Sequence, residues 1–466
     1  MPRIFISAAH KSSGKTTVTL GLCAALRVRG LAVQPFKKGP DYIDPMWLGR
    51  AAGRACHNLD FYTMGRDEIR DTVAHHEAGT DISVIEGNKG LYDGLDLDGS
   101  NSNAALAKLL HTPVVLVLDA RGMTRGIAPL ILGYQAFDPD IRIAGVILNQ
   151  LGGHRHEAKL RAVIEHYTDV PVIGAVSRDS GMEIPERHLG LIPSNEEEDA
   201  EHHIQRIGKA IGEQVDLDRL LQVAAAAPVI ESQAPESMPP ATAGRSMRIG
   251  IAHDDAFGFY YPGDLQAFER QGATLVPLDM IRDTALPELD GLFIGGGFPE
   301  SRMDELAANT AMRTALRQAV ETGLPVYAEC GGLMYLARSL RWQGRSADMV
   351  GAIPADVVMC ERPQGRGYVR LRETVHSPWP QGDGNGSEIA AHEFHYSRLE
   401  NLDPGLDYAF EVTRGTGIDG RHDGLIYRNL LACYSHRRDT RRDPWVRRFL
   451  DFVSTCRLDD GTTRPR

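Results

Sequence analysis

The residues best suited to chemistry fall into two groups. The first is Ala8-Ala9-His10-Lys11-Ser12-Ser13-Gly14-Lys15-Thr16-Thr17, which ends in the GK[ST] of a phosphate-binding loop. Backbone N–H groups of such a loop converge on phosphate oxygens, and the helix that follows adds its N-terminal dipole. Ser13, Gly14, Lys15, Thr16 and Thr17 are the candidate ATP-binding residues: Lys15 neutralises the outer phosphates and the Thr16 hydroxyl ligates Mg²⁺. The first glycine of G-x4-GK[ST] is replaced by Ala9, so the pattern is imperfect, and a chance SSGKTT turn is the plainer alternative. The strand–loop–helix context favours nucleotide binding. Carboxylates stand at the ends of neighbouring strand-like runs: Asp41 and Asp44 in GPDYIDP, Glu86 closing ISVIEG, and Asp93 in GLYDG. Ligands of open α/β sheets bind outside the carboxyl ends of strands, and a MgATP site needs acids there. Thr16, Asp44 and Glu86 are therefore the candidate metal ligands. Asp93 reads equally well as a solvated turn acid, because Asp-Gly forms turns.

The second group centres on Cys330. PVYAEC-GGLMYLARSL (325–340) reads as a strand, a sharp glycine turn and a helix. That is a nucleophile elbow with Cys in place of Ser, and a helix N-terminus favours the thiolate. The Gly295-Gly296-Gly297 turn follows an earlier strand. N–H groups of Gly296, Gly297 and Gly331 are the candidate oxyanion donors. A thiol nucleophile needs a base. His392 and His395 in AHEFHYS read as structural, whereas His436 ends a strand-like run and is the preferred partner. The third member is open. Position 438, where a triad often shows Glu, is Arg, and Asp439 is the nearest acid after the histidine, so a Cys330–His436 dyad is the expectation. A buried inert cysteine is the bland alternative.

These residues need elements to hold them. RIFISAA (3–9), AVQPFKK (32–38), ISVIEG (82–87), PVVLVLDA (113–120) and IAGVILNQ (143–150) are near-continuous apolar runs, the mark of strands buried on both faces. Helically spaced stretches alternate with them, which predicts a doubly wound α/β domain. MRIGIAHD (247–254), LDGLFIGGG (289–297) and PVYAEC restart the pattern. Residues 223–246, rich in Ala, Pro and Ser, read as a linker. The expected organisation is therefore an ATP-binding domain over 1–222, a linker over 223–246, a second α/β domain over 247–456 and a frayed tail over 457–466. A chain of 466 residues with net charge −11 is long enough for two such cores and a poor generic nucleic-acid binder. The six cysteines form no CxxC pair, no run approaches a membrane span, and no signal-peptide layout precedes the first strand. A cytoplasmic protein is expected, without nucleic-acid or membrane partners. Homodimerisation is open.

An ATP site and a thiol site on one chain have a joint meaning. Cys330 attacks the side-chain amide of glutamine and His436 protonates the departing ammonia. ATP activates a carboxylate as an acyl phosphate, and ammonia converts it to an amide. A closed path for ammonia is expected, since the free base is lost to protonation in water.

With these motifs in view, the chain resembles the cobyrinic acid a,c-diamide synthase family over nearly its full length. The resemblance rests on SSGKTT (12–17), KKGPDYIDP (37–45), GLYDG (90–94), IPERHLGL (184–191), FYYPGDL (259–265), GGGFPE (295–300), AECGGLMYL (328–336), QGRGYV (364–369), HEFHYS (392–397) and YSH (434–436). It implies a dethiobiotin-synthetase-like P-loop domain followed by a class I glutamine amidotransferase domain. It also implies amidation of the a and c acetates of a modified tetrapyrrole, with ATP, Mg²⁺ and L-glutamine. Cys330 matches the family nucleophile and His436 its activating histidine. Asp41, Tyr42, Asp44, Glu86, Lys89 and Asp93 then border the acceptor carboxylate. Members act on cobyrinate, hydrogenobyrinate, sirohaem or nickel sirohydrochlorin. Here Glu86-Gly87-Asn88-Lys89-Gly90 departs from the EGVMG of many cobyrinate enzymes, and DLDGSNSNAA (96–105) differs too. These departures tilt the expectation toward a sirohaem-type substrate, with cobyrinate as the alternative. A reading of a different class is a P-loop ATPase switch with an inactive amidotransferase half.

Overall fold

The computed structural model describes residues 1–182, 184, 186–187, 190–196, 199–231, 246–380 and 388–461. The chain divides into two compact units, Met1–Glu236 and Ser237–Arg466.

The first unit is built on a seven-stranded sheet. Its strands are β1 (Arg3–Ala8), β2 (Val33–Lys38), β3 (His57–Leu59), β4 (Ile82–Glu86), β5 (Val114–Asp119), β6 (Ile143–Leu151) and β7 (Val172–Ser177). The order is β3-β2-β4-β1-β5-β6-β7, and every pairing is parallel. Continuous apolar runs suit such strands because helices cover both faces, and separate apolar clusters lie on the two sides. The connection from β1 leads to β2 on one side, and that from β4 returns to β5 on the other. This reversal opens a crevice beside the end of β1. Helix α1 (Lys15–Val28) starts there, and α2 (Ile43–Ala52) follows β2. Helix α1 lies close against α3 (Ala200–Gln214): a Cβ on Gly21 would stand 2.3 Å from Ile211 Cγ1, so glycine permits the approach.

The second unit carries a nine-stranded mixed sheet. Thr274–Leu278, Arg248–Ala252, Gly291–Ile294, Val326–Glu329 and Leu430–Cys433 lie side by side in parallel. His422–Tyr427, Asp407–Arg414, Gly365–Glu373 and Ile389–His395 continue the sheet antiparallel. The last of these is an edge strand, yet its His392 bridges backbone to backbone with His436, just past Leu430–Cys433.

Three boundaries differ from those expected. The helix after Cys330 covers only Gly331–Leu336, because Ala337–Trp342 becomes a strand paired with Ile353–Met359; tertiary pairing overrides a locally helical pattern. The linker begins later than residue 223. A helix runs Leu217–Ala224, Ala224 and Ala227 are buried, and Pro228 O accepts from Arg3 Nη2 at 2.9 Å. Its 232–245 portion lies outside the described residues. The tail is helical as far as Gly461, since the terminal helix buries Trp445, Val446, Phe449 and Val453, and Arg457 reaches Asp290 at 3.3 Å. No helix among the described residues is long and apolar enough to cross a membrane.

Candidate active sites

In the second unit, strand Val326–Glu329 delivers Cys330 to the tip of a turn with φ +45° and ψ −98°. A non-glycine residue pays conformational energy for that backbone, and surrounding contacts must hold it. Cys330 N–H donates to Cys433 O at 2.8 Å. Gly331 and Gly332 let the helix start against its neighbours: a Cβ on Gly332 would lie 2.3 Å from Ile294 O, and one on Gly331 2.9 Å from Gly297 N. The candidate oxyanion residues Gly297 and Gly331 are thus in contact beside the thiol. Gly296 has a further role, because a Cβ there would stand 2.6 Å from His436 Cε1.

His436 is buried and interacts with the Cys330 thiol. Its Nδ1 lies 3.3 Å from Glu329 Oε2. Glu329 is itself fixed, since its Oε1 accepts from Tyr327 OH at 2.8 Å and from Arg437 N–H at 2.9 Å. Burial alone would lower the pKa of His436, but hydrogen bonds to Cys330 and Glu329 outweigh it and push the imidazole up to about 10. The acid that the fold sets against His436 is therefore Glu329, the residue before Cys330. Asp439 is occupied elsewhere, its Oδ1 accepting from Val446 N–H at 3.1 Å and its N–H donating to Asp264. Parallel pairing of Glu329 with Cys433 sets this carboxylate near a histidine three residues further on. The sequence carried that signal only in the apolar strands Val326–Glu329 and Leu430–Cys433. His395 is held by Ser397 O at 2.8 Å and stacks on Tyr434, a structural setting.

In the first unit, the loop after β1 turns through Ser12 (φ +64°) and Gly14 (φ +84°) into α1. A Cβ on Gly14 would meet Asn149 Nδ2 at 2.1 Å, and that amide donates to Ser13 O at 2.9 Å. Ser13 and Lys15 are buried, and burial lowers the pKa of Lys15. Thr17 follows in the first turn. Thr16 Oγ1 lies 2.9 Å from Glu86 Oε1 and 3.3 Å from Asp44 Oδ2. Lys37 stands out in the sequence only as part of KKGPDYIDP, yet its ammonium is the centre of this cluster. It donates to Glu86 Oε1 at 2.6 Å and to Asp44, and lies 3.8 Å from Asp41. Burial opposes its charge, but the three carboxylates hold its pKa well above the ordinary lysine value. Burial pushes Glu86 upward despite Lys37, whereas Lys37 holds Asp44 below its usual value against burial. Asp41 is raised by burial and by Asp44 beside it.

A family model described as a CobQ/CobB/MinD/ParA nucleotide binding domain matches residues 4–192, and one described as a CobB/CobQ-like glutamine amidotransferase domain matches 248–442. Proteins named cobyrinate a,c-diamide synthase from Magnetococcus marinus, Methanosarcina acetivorans and Archaeoglobus fulgidus are 47%, 43% and 40% identical to this chain. Each alignment covers 94% of this chain and 92–94% of the relative. The chain belongs to the cobyrinate a,c-diamide synthase family. Its front unit is a nucleotide-binding domain and its rear unit a glutamine amidotransferase domain.

Within this family member, the remaining acceptor candidates divide. Asp41, Tyr42 and Asp44 lead into α2 beside Lys37, and Tyr42 is buried. Asp93 is exposed and accepts from Gly90 N–H at 2.8 Å, the setting of a turn acid, although its charge reaches Lys15. Lys89 is exposed at φ +43° and outside the Lys37 cluster. The more buried base on that side is Lys38, whose ammonium lies 3.3 Å from Asn101 Oδ1 and whose pKa burial lowers to about 8. Pro185, His188 and Leu189 of the IPERHLGL motif lie outside the described residues.

Proposed function

We propose that this protein converts cobyrinate to its a,c-diamide, consuming two glutamines and two ATP. The observation that carries the reading is His436, buried between Cys330 and Glu329 in a chain whose other unit ends a strand in a phosphate-binding loop. The Cys330 thiolate attacks the glutamine amide carbon. Backbone N–H groups of Gly297 and Gly331 are suited to receive the oxyanion. His436 delivers its proton to the leaving nitrogen, ammonia departs, and water hydrolyses the thioester to glutamate. In the front unit the acceptor carboxylate attacks the γ-phosphorus of ATP, ADP leaves, and ammonia displaces phosphate from the acyl phosphate.

Ser13, Gly14, Lys15, Thr16 and Thr17 hold the nucleotide in this reading. Mg²⁺ fits the residues present: among the described residues Glu86 Oε2 is buried without a hydrogen-bond partner, and the Thr16 hydroxyl contacts both the Glu86 and the Asp44 carboxylates. Thr16, Asp44 and Glu86 would hold the ion, which supplies charge neutralisation for the phosphates. Lys37 sets the charge balance of those acids, and Asp41 and Tyr42 stand where an acceptor carboxylate would approach.

The preference for a sirohaem-type substrate gives way. It rested on the departures at residues 86–90 and 96–105, whereas enzymes 40–47% identical across almost the whole chain carry the cobyrinate name. The test is incubation with glutamine, MgATP and each macrocycle, followed by mass measurement. A gain of two amides on cobyrinate is expected. Amidation of sirohaem alone would restore the first preference. Glutaminase activity that survives Cys330→Ala would remove the thiol assignment, and its absence from the native chain would favour the switch reading.

A further inference from the structure

The Glu329–His436 contact, at 3.3 Å, is a loose tether for a ring that must also present its other nitrogen to Cys330. Its edge contacts, to Glu329 and Cys330, fix the ring nitrogens but not the ring faces, and the histidine ring torsion is broad. Something must hold its faces. On one side Gly296 leaves a space that a methyl group would fill, 2.6 Å from His436 Cε1. The His392 imidazole stacks on His436, with ring centroids 4.9 Å apart and planes 19° from parallel. The two residues also exchange both backbone hydrogen bonds, His436 N–H to His392 O at 2.7 Å and His392 N–H to His436 O at 3.1 Å. This bridge is not a feature of either strand's regular pairing. It ties the sheet's edge strand to the segment carrying the base.

His392 is in turn fixed. Its Nδ1 lies 3.3 Å from Tyr261 OH, the Tyr261 ring sits edge-on at 6.1 Å, and the Arg438 guanidinium covers Tyr261 at 5.0 Å. Burial and the nearby charges of His436 and Arg438 hold its pKa well below the ordinary histidine value.

From this arrangement we propose that His392 is a positioning residue of the amidotransferase site: a stacked ring, anchored by Tyr261, that keeps the His436 imidazole in the plane linking Glu329 to Cys330. The sequence pattern HEFHYS supplies it, and the reading of that motif as purely structural is what this inference revises. It gives FYYPGDL a part as well, through Tyr261. The proposal rests on the assignment of Cys330 and His436 to glutamine hydrolysis.

The experiment is steady-state glutaminase kinetics on the full chain with His392→Asn, His392→Leu and His392→Phe, beside Cys330→Ala. Asn and Leu remove the aromatic face while keeping much of the bulk, so a variant that fails to fold leaves the other to report. An aromatic contact of this kind is worth about three- to tenfold in an equilibrium. The expected result is a kcat about tenfold lower in both ring-less variants, KM for glutamine within about twofold of the native value, and Phe recovering kcat to within about threefold. A ring-less variant with native kcat, a loss confined to KM, or a Phe variant as slow as Asn and Leu each overturns the proposal. The Cys330→Ala arm separates the two readings. Retained turnover there removes the thiol assignment itself, whereas an inactive Cys330→Ala beside native-like His392 variants removes only the role of His392.

Discussion

Replacing Glu329 by glutamine keeps the shape of the site and deletes one buried negative charge. Glu329 Oε1 accepts from Tyr327 OH and Arg437 N–H, so the glutamine oxygen is drawn to that side. Its NH2 then faces His436 Nδ1, where a carboxylate oxygen stood at 3.3 Å. A donor there needs an acceptor, which forces the neutral imidazole to carry its proton on Nε2, toward Cys330. In that tautomer the ring cannot take the thiol proton. A hydrogen bond to a charged group contributes about 1.5–3 kcal/mol, which corresponds to a loss of about ten- to a hundredfold in kcat for glutamine hydrolysis. The pH profile moves as well. Glu329 favours the imidazolium, whose pKa stands at about 10; without the carboxylate that value falls, so the alkaline limb of kcat/KM shifts to lower pH. Glutamate release measured from pH 6 to 10 checks both, with Asp439→Asn as the control expected to stay within about twofold of native. A Glu329→Gln enzyme with native rate and profile, or an Asp439→Asn enzyme hit equally hard, would refute the triad.

Gly296→Ala places a methyl group 2.6 Å from His436 Cε1 and is expected to cut glutaminase at least about tenfold, while amidation driven by added ammonium salt persists; equal loss of both would point to misfolding instead. Gly332→Ala sets a Cβ 2.3 Å from a backbone carbonyl that has no room to move, so unfolding in denaturant should show about 1–3 kcal/mol lost, and an unchanged midpoint would contradict the close contact. Chelation of Mg²⁺ should stop ATP-dependent amidation and leave glutamine hydrolysis running, because the proposed ion ligands Thr16, Asp44 and Glu86 all lie in the first unit; measuring ADP and glutamate in parallel distinguishes the two.

Local chemistry in this chain was legible wherever it is written in neighbouring residues. The phosphate loop, the Cys330 turn and the buried parallel strands each depend on a short run whose backbone and burial are locally specified: an apolar run must be covered on both faces, and a glycine pair must follow a tight elbow. Local pattern misleads at the helix after Cys330, which ends four residues before residue 340, and at residue 223, where a linker composition continues into the buried Ala224 and Ala227. In both cases a distant partner decided the outcome, Ile353–Met359 in one and the packed front unit in the other.

What no stretch of sequence could rank was which charges meet. Glu329 and His436 are 107 positions apart, and Lys37 and Glu86 are 49 apart. Each pair is joined through strand register, β2 on β4 and Val326–Glu329 on Leu430–Cys433. Register depends on how whole faces of a sheet bury their side chains, a property summed over many contacts. So the residue types and the two candidate chemistries were determined by the sequence alone, while the acid set against His436, the lysine among the carboxylates and the histidine stacked on His436 were decided only by the fold that buried them together.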